Sequence, residues 1–148
     1  MNLLKNVKID QILGYYAEGT TARTSTADII DMQGYDGCLF IAEFGKLIEA
    51  GTINVQVLQD TASGGGTMAA VAGTAAYTTT AAAAALTQSA IAVDIFRPLE
   101  RYLEVTVTPA TQDAVILGVT AIRYKGKMGP DANGDLLKGT QLVSPSEA

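Results

Sequence analysis

The chain has 148 residues, no histidine, one cysteine and a formal net charge of −5. The lack of histidine excludes Ser-His-Asp and Cys-His catalysis and the HExxH zinc helix. One cysteine allows neither an intrachain disulfide nor a zinc site built from cysteines alone. The length fits a single domain, and we expect a protein that is not an enzyme and carries no cofactor and no metal.

The basic residues are scattered, and only 123–127 clusters several of them. Direct nucleic-acid binding is not expected from such a distribution. Residues 1–8 lack the apolar core and cleavage site of a signal peptide, and no apolar run is long enough to span a bilayer. We expect a protein made in the cytoplasm that has no membrane partner.

Residues 1–16 carry apolar side chains that fit neither a clean helix nor a clean strand. They predict an extended N-terminal arm with a short strand over 8–13. A turn is predicted at 17–21, a short strand over 27–32, and a second turn at 33–37, where glycines and an aspartate occur. Within 27–32, Asp28 and Asp31 would face opposite sides of a strand, so they do not form an acid/base pair.

Two apolar segments, 38–44 and 52–59, predict adjacent antiparallel strands of a hairpin. Cys38, in the first segment, is interpreted as a small buried hydrophobic residue. In the second segment Ile53, Val55 and Val57 alternate with polar residues and are expected to face the core.

Low-complexity sequence follows this pair. The three glycines at 64–66 are not followed by the Gly-Lys-Ser/Thr that a phosphate-binding loop needs, so a flexible connection is predicted. Residues 68–85, rich in Ala, Thr and Gly, predict a loop or one short helix.

Two strand patterns, 91–96 and 101–108, flank a turn at Pro98, which cannot donate to a strand ladder. Leu103, Val105 and Val107 lie on one face of the second strand, as expected for a sheet with one wet side. Residues 114–124 are apolar on both faces and predict a strand covered on both sides.

Residues 128–148 predict a polar C-terminal tail. The segment 131–135 begins like a calcium loop, but Leu136 stands at the sixth position, where glycine is needed, and Leu142 replaces the twelfth-position glutamate. A turn is the better interpretation. We divide the chain into an arm with the first strand (1–16), a β domain (17–127) and the tail (128–148).

Many short β segments with turns between them predict an all-β, mainly antiparallel, single-domain β-sandwich or barrel-like fold. The segments 93–103 and 121–127, the Gly-Tyr-Asp-Gly turn at 34–37, the strand end at 55–60 and the Ser-Pro-Ser-Glu ending resemble small structural proteins of tailed bacteriophages encoded among the head genes. The segment 68–85 departs from that resemblance.

The resemblance implies a capsid decoration, or cement, protein on the virion exterior. Such a protein is β-rich and binds the major capsid protein on the outside of the assembled shell, often as a homotrimer at three-fold positions. Apolar residues of the arm and the tail are candidates for contacts with neighbouring subunits, the alternative being packing onto their own domain: Leu3, Leu4, Val7, Ile9, Leu136, Leu137, Leu142 and Val143.

Two other interpretations remain open. A tail or baseplate component would share the same structural character. A carbohydrate-binding module would use Tyr15, Tyr16, Tyr35 and Tyr77 as sugar platforms, although the absence of tryptophan weakens that alternative.

Overall fold

The computed structural model describes residues 3–73, 75–79 and 88–125. Two antiparallel sheets pack face to face as a β-sandwich, which confirms the all-β prediction. In the described residues helical backbone is limited to one 3₁₀ turn, Leu3–Lys5. None of these residues forms a helix long and apolar enough to cross a membrane.

The strands, in chain order, are β1 (Val7–Leu13), β2 (Tyr16–Gly19), β3 (Arg23–Thr24), β4 (Ile30–Asp31), β5 (Gly37–Leu47), β6 (Thr52–Asp60), β7 (Ala69–Ala70), β8 (Ala75–Thr78), β9 (Ser89–Phe96), β10 (Tyr102–Ala110) and β11 (Ala114–Tyr124). The first sheet has the order β1-β11-β5-β9, with β2 also paired to β11. The second has the order β3-β10-β6-β7, with β4 paired to β10 and β8 to β6.

The long strands alternate between the sheets along the chain. The predicted hairpin of 38–44 with 52–59 is therefore wrong: β5 pairs with β9 and β11, whereas β6 pairs with β10. Each of these strands has one apolar face, and both faces are buried when the strands lie opposite each other rather than side by side. The chain crosses between the sheets through a turn in which the Gly51 N–H donates to the carbonyl oxygen of Ile48 at 3.0 Å and Ala50 has a φ of 62°.

The core lies between the two inner faces. Strand β5 contributes Phe40 and Phe44, and both are fully buried. The predicted alternation of β6 and β10 is confirmed, since the following residues are all buried in the same cluster: Ile53, Val55, Val57, Leu103, Val105 and Val107. Cys38 is buried in this cluster as well, which confirms its interpretation as a core residue.

A bulge explains the mixed apolar pattern of β11. Its register with β5 shifts between Ile116 and Gly118. The buried positions then change parity, from Ile116 before the bulge to Val119 and Ala121 after it. Cover on both faces was predicted, yet Leu117, which points outward, is 44% exposed.

Several boundaries differ from those expected. Residues 7–13 form β1, which pairs with β11 along its length, so this part of the chain belongs to the sheet. The predicted turn at 17–21 overlaps β2, and the predicted strand over 27–32 is reduced to β4. In the segment 68–85, where a loop or one short helix was predicted, β7 and β8 pair with β6. The alanine run 81–85, which favoured the helix, and the tail 128–148 lie outside the described residues.

Candidate docking surface

One end of the sandwich gathers the features that could bind another molecule. Here β1 begins while β9 and β11 end, because Val7 is paired with Tyr124, and Gly37 is paired with both Tyr124 and Phe96. We call this region, including the turn 97–101, the terminal end. The described chain both enters and leaves the sandwich there.

An apolar groove of about 360 Å³ opens on the outer face of the first sheet at the terminal end. We call it the outer groove. Its lining is mainly apolar, with Asn6, Asp94, Tyr124 and Lys125 as polar contributors; the apolar residues are Leu3, Val7, Leu39 and Ile122. The 3₁₀ turn at Leu3–Lys5 precedes β1 and places Leu3 beside the groove.

The Tyr124 ring spans three strands at the edge of this groove. Its ring lies directly over Gly37, where a Cβ atom would come within 2.2 Å of the ring carbon Cζ. Its hydroxyl donates a 2.5 Å hydrogen bond to Oδ1 of Asp94 on β9. Burial, together with the Asp94 carboxylate, raises the pKa of Tyr124 to about 12. The hydroxyl is therefore a neutral hydrogen-bond donor at ordinary pH.

Two exposed apolar side chains of the terminal end lie outside the lining of the outer groove. Phe96 is 50% exposed, and its ring centroid lies 4.8 Å from Nζ of Lys125 and 5.1 Å from Cζ of Arg97. Leu99, at the tip of the turn, is 89% exposed. A second, open hollow of about 480 Å³ lies next to Leu99 and includes Met32 in its lining.

The turn 97–101, which follows Phe96 and carries Leu99, is anchored to the fold. Arg97 has a φ of 52°, and its backbone N–H donates to the carbonyl oxygen of Asp36 at 2.7 Å. Arg101 makes a two-pronged ion pair with Asp31, with N···O distances of 2.8 and 2.7 Å. This hydrogen-bonded guanidinium holds the pKa of the Asp31 carboxyl below its usual range.

A buried arginine fixes the strands beneath this end. Nη2 of Arg123 lies 2.6 Å from Oδ2 of Asp10 on β1, and Nη1 donates to the carbonyl oxygen of Asp31 at 2.7 Å. The guanidinium carbon also lies 5.1 Å from the ring centroid of Tyr35. Arg123 thereby ties β11 to β1, β4 and the following turn beneath the terminal end.

Of the contact residues predicted from the sequence, those of the arm are described by the structure and those of the tail are not. Leu3 is 56% exposed, Leu4 and Ile9 are half-buried, and Val7 is only 2% exposed. Val7 is absent from the core cluster between the sheets and lines the outer groove, so it packs onto its own domain. The tail candidates Leu136, Leu137, Leu142 and Val143 lie outside the described residues.

Sequence reasoning missed Phe96, Leu99 and Tyr124 as surface-forming residues. A large apolar residue inside a turn, as in Arg97-Pro98-Leu99-Glu100, is the signal that could have identified Leu99. No pattern of similar strength marks the other two, because alternation alone does not say which sheet face lacks a cover.

The tyrosines proposed as sugar platforms do not share one surface. Tyr15 is 65% exposed and directly precedes Tyr16, which is paired with Ile116 in the first sheet. Tyr77 is paired with Ile53 in the second sheet, and Tyr35 lies against Arg123 at the terminal end. The geometry does not favour the carbohydrate-binding alternative.

The described part of the chain brings together no group of three or more residues able to hold a metal ion. No protein-family model matches this sequence, and the comparison with curated proteins found no significant match. Fold and surface together define the class: an antiparallel β-sandwich with an anchored apolar surface at one end.

Proposed function

We propose that the protein is a capsid decoration protein of a tailed bacteriophage, which binds the outside of the assembled shell and bridges adjacent copies of the major capsid protein. The observation that carries this proposal is the exposure of two large apolar side chains, Phe96 and Leu99, within four residues of each other at an anchored end of the sandwich. The resemblance of segments such as 93–103 to phage head proteins supports the choice of partner.

The surface has the properties of a protein contact. Clustered exposed apolar side chains on a folded domain often mark binding sites, because water around them is released on association. The turn is held by Asp36 and by the Arg101–Asp31 pair, so little conformational freedom is lost on binding. Fully burying Leu99 would contribute about 1.5–3 kcal/mol.

Shell stabilisation then follows from multivalency. A homotrimer that contacts several capsid subunits at once converts weak single contacts into a durable attachment, because later contacts form at an effective concentration of about millimolar. No bond-making step is required of the protein. In this proposal it resides on the virion exterior and takes no part in enzymatic chemistry.

The test uses full-length protein and expanded shells that lack it. We expect saturable binding and a higher disruption temperature of the shell. Leu99→Ser is expected to weaken each contact by about tenfold to a hundredfold, as expected for a loss of about 1.5–3 kcal/mol. Leu117→Ser is the matched control, because Leu117 is also exposed but lies seven residues, about 23 Å, from Tyr124 along β11.

Shell stability that does not change at saturating protein would refute the proposal. Equal effects of the two serine variants would refute the role of the terminal end. Binding to purified tails but not to shells would support a tail or baseplate component instead. Sedimentation of the free protein and of shell-bound protein tests the trimer.

A further inference from the structure

The outer groove lies where the described chain leaves the sandwich. Lys125 follows directly after β11 and lines the groove. Its φ of 53° is in the left-handed region, which non-glycine residues rarely adopt, so the backbone departs from the strand direction at this residue. The described part of the chain therefore ends at the groove.

The chain continues for 23 residues beyond Lys125, to Ala148. Residues 126–135 are mostly glycine, proline and polar residues, with Met128 as their one large apolar residue. Residues 136–143 instead contain two apolar pairs, Leu136-Leu137 and Leu142-Val143. Ten residues span at most about 33–36 Å when fully extended, so residues 126–135 are long enough for the apolar pairs to reach the groove.

We propose that the outer groove is the docking site of residues 136–143 of the same chain. The groove offers an apolar lining that includes Leu3, Val7 and Ile122, and this segment carries the densest group of large aliphatic residues beyond β11. Attachment through a short connection gives the segment an effective concentration of about millimolar. It therefore occupies the groove ahead of the same segment from a second copy in dilute solution. This docking is independent of the capsid proposal.

Disulfide trapping in the full-length protein tests the docking. The variant Leu3→Cys/Leu137→Cys places one thiol at the groove and one in the segment. The matched control is Leu117→Cys/Leu137→Cys, in which the first thiol is exposed on β11 away from the groove. The native Cys38 does not interfere, because it is fully buried and burial raises the pKa of its thiol to about 12.

We expect the Leu3→Cys variant to form an intramolecular disulfide at least about tenfold faster than the control, since docking raises the local thiol concentration. The two cysteine pairs enclose chain segments of different length. The rate of disulfide formation of each variant in denaturant is therefore measured as well, and each native rate is divided by it. Equal corrected rates in the native state would overturn the docking. Disulfide-linked dimers as the main product would show that a second copy supplies the segment.

A measurement without new cysteines covers the case in which the Leu3 substitution itself damages the groove. In full-length protein, Leu136→Ser/Leu137→Ser should shift the methyl NMR signals of Ile122 while leaving those of Leu117 unchanged. Unchanged Ile122 signals would contradict the proposal. Neither measurement involves a shell, so its outcome is separate from that of the capsid-binding test.

Discussion

The substitution Gly37→Ala tests how the terminal end is held together. Gly37 lies under the Tyr124 ring, and an added Cβ would be 2.2 Å from Cζ and 2.4 Å from Oη of that tyrosine. Non-bonded heavy atoms pack at about 3.5–4.0 Å, so the ring has to move away. Tyr124 is half-buried, so we expect its ring to move toward the solvent while the strand pairing is kept.

The expected cost follows from the contacts that are lost. Moving the ring breaks the 2.5 Å hydrogen bond from the Tyr124 hydroxyl to Asp94, and a hydrogen bond to a charged group is worth about 1.5–3 kcal/mol. Replacing glycine by alanine in a strand by itself raises the free energy of unfolding by about 0.5–1 kcal/mol, because the alanine backbone loses less conformational freedom on folding. We expect Gly37→Ala to lower the free energy of unfolding by about 1–2 kcal/mol.

A double-mutant cycle isolates this explanation. In a Tyr124→Ala background no ring lies over residue 37, so Gly37→Ala should be neutral or stabilising by up to about 1 kcal/mol. Urea unfolding of the four proteins at neutral pH measures the difference, and Tyr124→Phe reports the hydroxyl alone. If Gly37→Ala destabilises equally in both backgrounds, the ring is not the cause and our reasoning is wrong.

Three further predictions concern the interior. Arg123→Met should lower the free energy of unfolding by about 3 kcal/mol in urea titrations, because it leaves Asp10 unpaired. Asp10→Asn in that background should restore part of the loss, and a further, additive loss would contradict this explanation. Burial raises the pKa of Glu104 despite a hydrogen bond from Thr26, so the folded state binds the proton more tightly than the unfolded state. The free energy of unfolding therefore falls as the pH rises from the pKa of Glu104 in the unfolded chain to its higher pKa in the folded protein. Glu104→Gln removes that fall, so the variant should gain stability over the wild type from below about pH 4.3 to neutral pH, and a constant difference would disprove the assignment. Cys38 should resist thiol reagents in the native protein at pH 8 and react on unfolding; fast native labelling would contradict its burial.

The candidate surface was only partly predictable. Leu3 and Val7 were identified from the sequence as apolar residues near the start of the chain, and they do line the outer groove. Phe96 and Tyr124 were not, because their roles depend on β9 and β11 lying on either side of β5. Such neighbours are distant in sequence, and no local pattern specifies them.

The alternation of apolar and polar residues determined the class of this protein by itself. Leu103, Val105 and Val107 recur every second residue, and such a period can bury its apolar side only in a sheet. The same local physics marked Cys38 as a core residue.

Strand partners and the exposed face were decided only by the tertiary structure. Segments 38–44 and 52–59 read equally well as hairpin partners or as opposite layers, and face-to-face packing prevailed because it buries both apolar faces at once. The bulge near Gly118 then determined which side chains of β11 turn outward. Pairing and packing energies depend on residues far apart in the chain, so these outcomes belong to the assembled sandwich and not to any one segment.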